Sequence, residues 1–412
     1  MAEPVSDNEG KLIEGTYLSD TLVGGFGDDT IKGLEGNDTI DGQAGSDVIY
    51  GGEGNDVMEG NFGNDELYGE SGDDTITDDS GSNILDGGPG NDNLSSRSLS
   101  GDHTLKGGDG ADTLTATGKK VTLEGGDEND HIYAYGFIDK EGSRSYLEEG
   151  EATVTGGAGD DYISVERYKT VNVDGGEGNN IFDNFKYIEG DVKINAGAGN
   201  DRIGRRGSWE SGLYQINGNV EVDLGPGDDT ISDTSYFNGD LVIKGDQGKD
   251  NLNVSHGLKV EIDGGTDDDT LYIYNFQNGE LLGGTGNDQL TGVYYSNPWG
   301  FEEGAPSYNK NGNNVYDETQ LYVLEGGEGD DTLKIRGEYT YLEYGANEAN
   351  LKGGKGNDTI EITDNRAGTT SGTEGNQYGI VKAVIDGGEG QDTITVSGGL
   401  DISITTGADS DT

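Results

Sequence analysis

Aspartate recurs every ninth residue through a stretch that offers few other reactive side chains. From residue 24 onward, the sixth position of successive nine-residue units is Asp29, Asp38, Asp47, Asp56, Asp65 and Asp74, followed by Asn83 and Asp92. Gly24, Gly33, Gly42, Gly51, Gly60 and Gly69 open these units, Asp78 opens a degenerate one, and Gly87 restores the frame. Glycines at positions one, two and four permit positive φ and let backbone carbonyls approach one another. A carboxylate beside several carbonyls, with no nitrogen or sulfur donor, is a hard oxygen site. Such a donor set selects calcium over zinc or copper. Magnesium suits it less, because magnesium demands a stricter octahedron and keeps its waters.

The elements that position these turns must be short. The eighth position is apolar throughout: Ile31, Ile40, Ile49, Met58, Leu67, Ile76, Leu85 and Leu94. One apolar residue flanked by polar ones is the period of a strand. After Gly87 the motif starts at Gly107, Gly125, Gly156, Gly175, Ala196, Leu224, Gly245, Gly264, Gly283, Gly326, Gly353, Gly387 and Thr406. A second alternating pair now precedes each motif, as in "VTLEGG" (121–126), "VEIDGG" (260–265) and "AVIDGG" (383–388). Each coil therefore reads as two strands and two turns. In the first regime both turns carry the motif; in the second only one does. A worn unit, "GTYLSDTLV" (15–23), places Asp20 ahead of the series. The later sixth-position acids are Asp112, Asp130, Asp161, Asp201, Asp229, Asp250, Asp269, Asp288, Asp331, Asp358 and Asp392. Alternate units from Gly15 make one edge of about 18 turns, and the opposite edge fades after about residue 86. A calcium between two stacked turns could bridge both aspartates. About 17 gaps on the long edge and about three on the short one predict roughly 20 ions. The predicted divisions are a lead-in at 1–14, a nonapeptide roll at 15–95 and a solenoid of longer coils at 96–412.

Composition explains why ions are needed. The chain has 412 residues, only 30% of them hydrophobic, 77 glycines and a net charge of −56. Weak hydrophobicity, self-repulsion and glycine entropy would leave such a chain disordered. This acidity excludes nucleic acid and anionic lipid as partners. Cysteine is absent, so disulfides and thiolate metal sites are excluded. No apolar run is long enough for a membrane-spanning helix, and the acidic start shows no Sec-type signal.

More than twenty in-frame copies of the GGxGxD pattern resemble the RTX, or hemolysin-type calcium-binding, nonapeptide repeat family, from about residue 15 to the end. The resemblance implies an all-β fold: a right-handed parallel β-roll or β-solenoid with calcium ions between stacked turns. It also implies type I secretion, an extracellular or cell-surface location, and folding triggered by extracellular calcium. The sixth-position acids and the opening glycines carry over as ligand positions. Asn83 and Asn180 at position six, and Glu128 and Asp267 at position four, depart from the pattern.

Other features read more plainly. His103, His131 and His256 lack partners at catalytic or zinc spacing. The basic cluster "GRRGSW" (204–209) reads as a loop offsetting local acid charge, and Tyr50, Tyr68 and Tyr133 read as outward-facing stacking positions. The segment 292–320 is rich in aromatics, and reads either as a self-packed loop or as a recognition loop for a surface polysaccharide or another protein. The other insertions are 136–152, 205–218, 336–350 and 364–382. No enzyme constellation stands out from the repeat. The final "TTGADSDT" stops inside a motif, which predicts a fragment. The first functional expectation is a rigid calcium-dependent scaffold or adhesive segment. The alternatives are an accessory module of a secreted enzyme or toxin, or a carbohydrate- or ice-binding solenoid. An ice-binding face would need a flat threonine ladder, and no such register is present.

Overall fold

The computed structural model describes residues 9–140, 143–146, 150–204, 212–232, 234–296, 321–340, 347–364, 380–397, 401–407 and 409–412. Residues 1–8, most of the basic cluster, 297–320 of the aromatic segment and 365–379 lie outside them. Among the described residues every regular element is a strand. The chain divides into two compact units, Met1–Asp191 and Val192–Thr412.

In the first unit the strands of the main sheet pair in parallel, each with the strand one coil away, and Phe137–Lys140 and Ser143–Tyr146 form a separate antiparallel pair. Thr30–Glu35 pairs Ile31 with Ile49 of Val48–Glu53, which pairs Ile49 with Leu67. The column continues through Leu85, Leu105, Leu123 and Val154 to Val173. A second column runs Leu22, Ile40, Met58, Ile76, Leu94, Leu114, Ile132, Ile163 and Phe182. The eighth-position residues from Ile31 to Leu94 are at most 1% exposed. Their flanking residues stay partly or fully in solvent, so the core is one side chain deep from each column. The sheet begins inside the predicted lead-in, because Leu12–Glu14 pairs with Thr30–Lys32. The change of repeat near residue 95 falls within this unit and does not interrupt either column.

The second unit keeps the two columns: Ile194 to Val222, Ile243, Ile262, Leu281, Leu324, Leu351 and Ile385 on one side, and Ile203 to Ile231, Leu252, Leu271, Leu290, Leu333 and Ile360 on the other. Strands here lengthen to Asn251–Thr266 and Thr270–Thr285. Phe276 on the second of these is fully buried. Tyr294 and Tyr322 stack at 4.1 Å. The Tyr322 hydroxyl accepts from the Phe276 N–H at 3.0 Å and donates to the Val293 carbonyl at 3.2 Å. A buried tyrosine needs such partners for its hydroxyl.

The turns demand unusual backbone. Position four is glycine with φ of 114° at Gly36 and 136° at Gly54, beyond the range side chains tolerate. Position two is left-handed even where it is not glycine, as at Leu34 (φ 87°).

Candidate functional site

Each sixth-position carboxylate is anchored through one oxygen. The backbone N–H of Asp38 donates to Asp56 Oδ1, that of Asp56 to Asp74 Oδ1 and that of Asp74 to Asp92 Oδ1, all at 2.7 Å. The ladder continues through Asp112, Asp130 and Asp161 to Asn180. On the opposite edge the N–H groups of Lys11, Asp29 and Asp47 reach Asp29, Asp47 and Asp65, and that of Asp65 reaches Asn83 Oδ1 at 3.1 Å. In the second unit the same bond links Asp201, Asp229, Asp250, Asp269, Asp288, Asp331, Asp358, Asp392 and Asp411 in turn.

The other oxygen has no donor. Oδ2 is buried without a hydrogen-bond partner in Asp29, Asp38, Asp47, Asp56, Asp65, Asp74, Asp92, Asp112, Asp130 and Asp161. The same holds for Asp201, Asp229, Asp250, Asp269, Asp288, Asp331, Asp358 and Asp392. What surrounds this oxygen is seen at Gly33. A Cβ there would lie 2.2 Å from Asp38 Oδ2 and 2.3 Å from the Gly51 carbonyl oxygen. Gly24, Gly42, Gly51 and Gly69 show the same convergence of their own aspartate and the next turn's opening carbonyl. The carbonyls of positions two and four also face the next coil: Leu34 O lies 1.9 Å from a Cβ placed on Gly52, and Gly36 O 2.1 Å from one placed on Gly54. The glycines thus leave a recess lined with oxygen that any side chain would fill.

Burying an unpaired carboxylate is costly. Desolvation accordingly pushes Asp47 and Asp56 up to about 6, Asp74, Asp112, Asp130 and Asp269 up to about 7, and Asp229 up to about 8. The anchoring backbone N–H opposes the shift and neighbouring aspartates add to it. An anionic recess with oxygen donors only, lacking a positive partner, fits a hard divalent cation of calcium's size. Among the described residues no three His, Asp or Glu side chains converge as a metal site. The cation's donors would therefore be mainly carbonyls, with carboxylates from successive turns.

The predicted positions are not all alike. Asp20 differs: its Oδ2 accepts from the Thr16 N–H at 2.5 Å and the Thr16 hydroxyl at 2.9 Å. Glu128 and Asp267 keep the turn by adopting φ of 77° and 80°, and the aspartates beside them, Asp130 and Asp269, retain the orphaned oxygen. At the end of the short edge the acid is replaced by a neutral network. Asn83 Nδ2 donates to the Ser80 carbonyl at 2.9 Å and to Ser96 Oγ at 3.4 Å. Ser96 Oγ lies 2.9 Å from His103 Nδ1, and His103 Nε2 lies 3.0 Å from the Ser98 carbonyl. Burial pushes the His103 pKa down, so its neutral form accepts from Ser96 and donates to Ser98. Sequence reasoning passed over Asp78, whose Oδ2 is also buried and without a partner. The available signal was an acid at an opening position otherwise held by glycine. Tyr50 and Tyr68 stack across coils at 5.1 Å.

Comparison with known proteins adds two findings. The sequence profile of the RTX calcium-binding nonapeptide repeat matches residues 14–49, 33–67, 59–94, 104–140, 149–166, 189–204, 323–334 and 345–361. Among solved structures the chain is similar to the crystal structure of a hyperactive, Ca2+-dependent, β-helical antifreeze protein from an Antarctic bacterium. That alignment has 17% identity, covers 89% of this chain and 88% of the other, and has a TM-score of 0.29, too low to carry an inference. No curated protein matches.

Proposed function

The chain is an RTX calcium-binding nonapeptide repeat protein, and we propose that its folding is driven by calcium ions bound in the gaps between stacked turns. The carboxylate ligands are the sixth-position aspartates of the two edges, and the opening glycines leave room for the ion among the carbonyls. The observation that carries this reading is the row of buried Oδ2 atoms with no donor. Bound calcium supplies the positive charge that lets these groups stay ionised in the recess. The backbone N–H to Oδ1 bonds orient the ligands, and the aliphatic columns beside them keep water out. About 20 such ions would carry about +40 against the chain's net charge of −56.

The function that follows is structural. The chain is a non-catalytic calcium-dependent scaffold of an exported protein, unfolded where calcium is scarce and rigid outside the cell. Affinity belongs in the weak extracellular range, about 10⁻⁴ to 10⁻³ M, with cooperativity. Calcium titration of the metal-stripped full chain, followed by far-UV circular dichroism at pH 7.5, tests the proposal. Mostly coil without calcium and β structure at millimolar calcium is expected. A complete β spectrum in exhaustively stripped protein would overturn it.

A further inference from the structure

The edge of the first unit that loses its carboxylate ladder at Asn83 carries a groove instead, of about 630 Å³. Asp102, Lys120, Glu151 and Thr170 follow one another in register along it, and the Asp102 N–H donates to Ser82 Oγ of the coil before at 3.0 Å. Five coils therefore line it, and four steps at strand spacing make it about 19 Å long. Lys119 and Lys169 stand beside this row on alternate coils, with Ser100 near its start. The backbone under the lysines is fixed. The Lys119 N–H donates to the Gly101 carbonyl at 2.8 Å, the Glu151 N–H to the Lys119 carbonyl at 2.9 Å and the Lys169 N–H to the Gly150 carbonyl at 2.9 Å. Behind these turns the buried His103 ring packs so closely that a Cβ on Gly101 or Gly118 would strike it.

The charge of the groove runs against that of the chain. Lysine and arginine make up 25 of 412 residues, yet three of the eight described residues that line the groove are lysines, against two acids. Elsewhere one lysine faces one acid across coils, as Lys106 faces Glu124 and Lys193 faces Glu221. Here Lys119 and Lys120 share a turn, which cross-coil pairing alone does not call for. Lys120 reaches Glu151 at 4.0 Å with both side chains more than half exposed, a weak pair that a ligand can replace.

We propose that this groove binds an extended acidic oligosaccharide, with its lysines on the sugar carboxylates and its serine, threonine and acid side chains on the sugar hydroxyls. A nucleic acid or polyphosphate is too densely charged, because Asp102 and Glu151 interrupt the lysines. An acidic peptide would need a place to pair its backbone, and the strands behind the groove already pair on both sides. A chain of sugar acids has one carboxylate per ring and hydroxyls between. Those hydroxyls can donate to Asp102 and Glu151 and accept from the lysines. The acidic surface elsewhere is screened beyond about 10 Å at about 0.1 M salt.

The groove lies off the carboxylate ladder, so calcium-driven folding stands or falls independently of it. Calorimetric titration of the full chain in saturating calcium with tetragalacturonate tests the inference, with maltotetraose and tetraglutamate as comparison probes. Saturable binding of tetragalacturonate that weakens as salt rises is expected, with no binding of the neutral sugar and about tenfold or more weaker binding of the peptide. Lys119→Gln combined with Lys169→Gln removes two exposed charges and should weaken binding by about tenfold, with the β spectrum unchanged. Lys193→Gln combined with Lys352→Gln, whose ion pairs lie outside the groove, should leave binding as it was. A sugar bridged by calcium to acids elsewhere would survive the groove variant. No binding of tetragalacturonate, binding equal to that of either comparison probe, or binding that the groove variant does not weaken more than the control variant would each overturn the inference.

Discussion

At the scale of single residues, positions six and eight of the repeat do different work, and their substitutions should fail differently. Asp269 accepts the Asp250 N–H through Oδ1 and presents an orphaned Oδ2 to the recess at Gly264. Asp269→Ala removes a ligand and unpairs one backbone donor, but leaves Leu271 and the carbonyls in place. Hydrogen exchange should rise near residues 245–291 with little change at residues 33–92, and added calcium should restore protection by mass action. Ile31 is fully buried between Ile13 and Ile49 in its column. Ile31→Asp places an uncompensated charge in a thin core, which costs far more than a lost ligand. It should melt the surrounding coils even in saturating calcium. Equal rescue of both variants by calcium would refute the assignment of the two positions.

At the scale of elements, the two regimes of the repeat are stabilised by different means. The nonapeptide coils bury one aliphatic residue per strand and fill their turns with oxygen. The second unit adds the buried Tyr294–Tyr322 stack, and Tyr322 satisfies a backbone donor and a backbone acceptor at once. Tyr322→Phe keeps the ring and strands both groups inside. The expected loss is about 1–3 kcal/mol, seen as faster exchange of the Phe276 amide. Because calcium is not a ligand here, raising calcium should leave that amide's exchange fast. Slow exchange at Phe276 in the variant would show that the strand is held by something else.

For the molecule as a whole, the carboxylate ladders set the sign of the pH response. Burial holds the folded-state pKa of Asp47, Asp74 and Asp229 at about 6, 7 and 8, above the unfolded aspartate value of about 4. A raised folded pKa stabilises the folded state fully below the unfolded value, and that contribution disappears as pH rises through the folded value. Metal-free protein should therefore gain β structure as pH falls from about 8 to about 5. Calcium reverses the preference, since it binds the ionised form. The calcium needed for half-folding should rise as pH falls below about 7, because protons compete for the same oxygens. Circular dichroism of stripped protein across this pH range checks the first statement, and calcium titrations at two pH values check the second. Metal-free β content that rises with pH would show that these aspartates do not govern folding.

The nine-residue frame by itself determined much of this protein. Glycine spacing specified the turns, the eighth-position aliphatics specified the strands, and the sixth-position acids specified the ladders, because in a solenoid every residue meets its counterpart one coil away. A periodic sequence therefore states its own contacts. What breaks the period was legible only in the folded chain. Asp78 looked like decay of the motif, yet its carboxylate is buried against Gly60 beside that of Asp65, a fact that depends on what the preceding turn sets opposite it. Asn83 holds a repeat position but Ser96 and His103 stand at no repeat spacing from it, and only coil stacking joins the three into the neutral end of the short edge. Tyr294 and Tyr322 stack although 28 positions apart in number, because parallel pairing skips whatever chain lies between paired strands. Regular repeats carry their partners in sequence spacing; each exception takes its meaning from the one coil it faces.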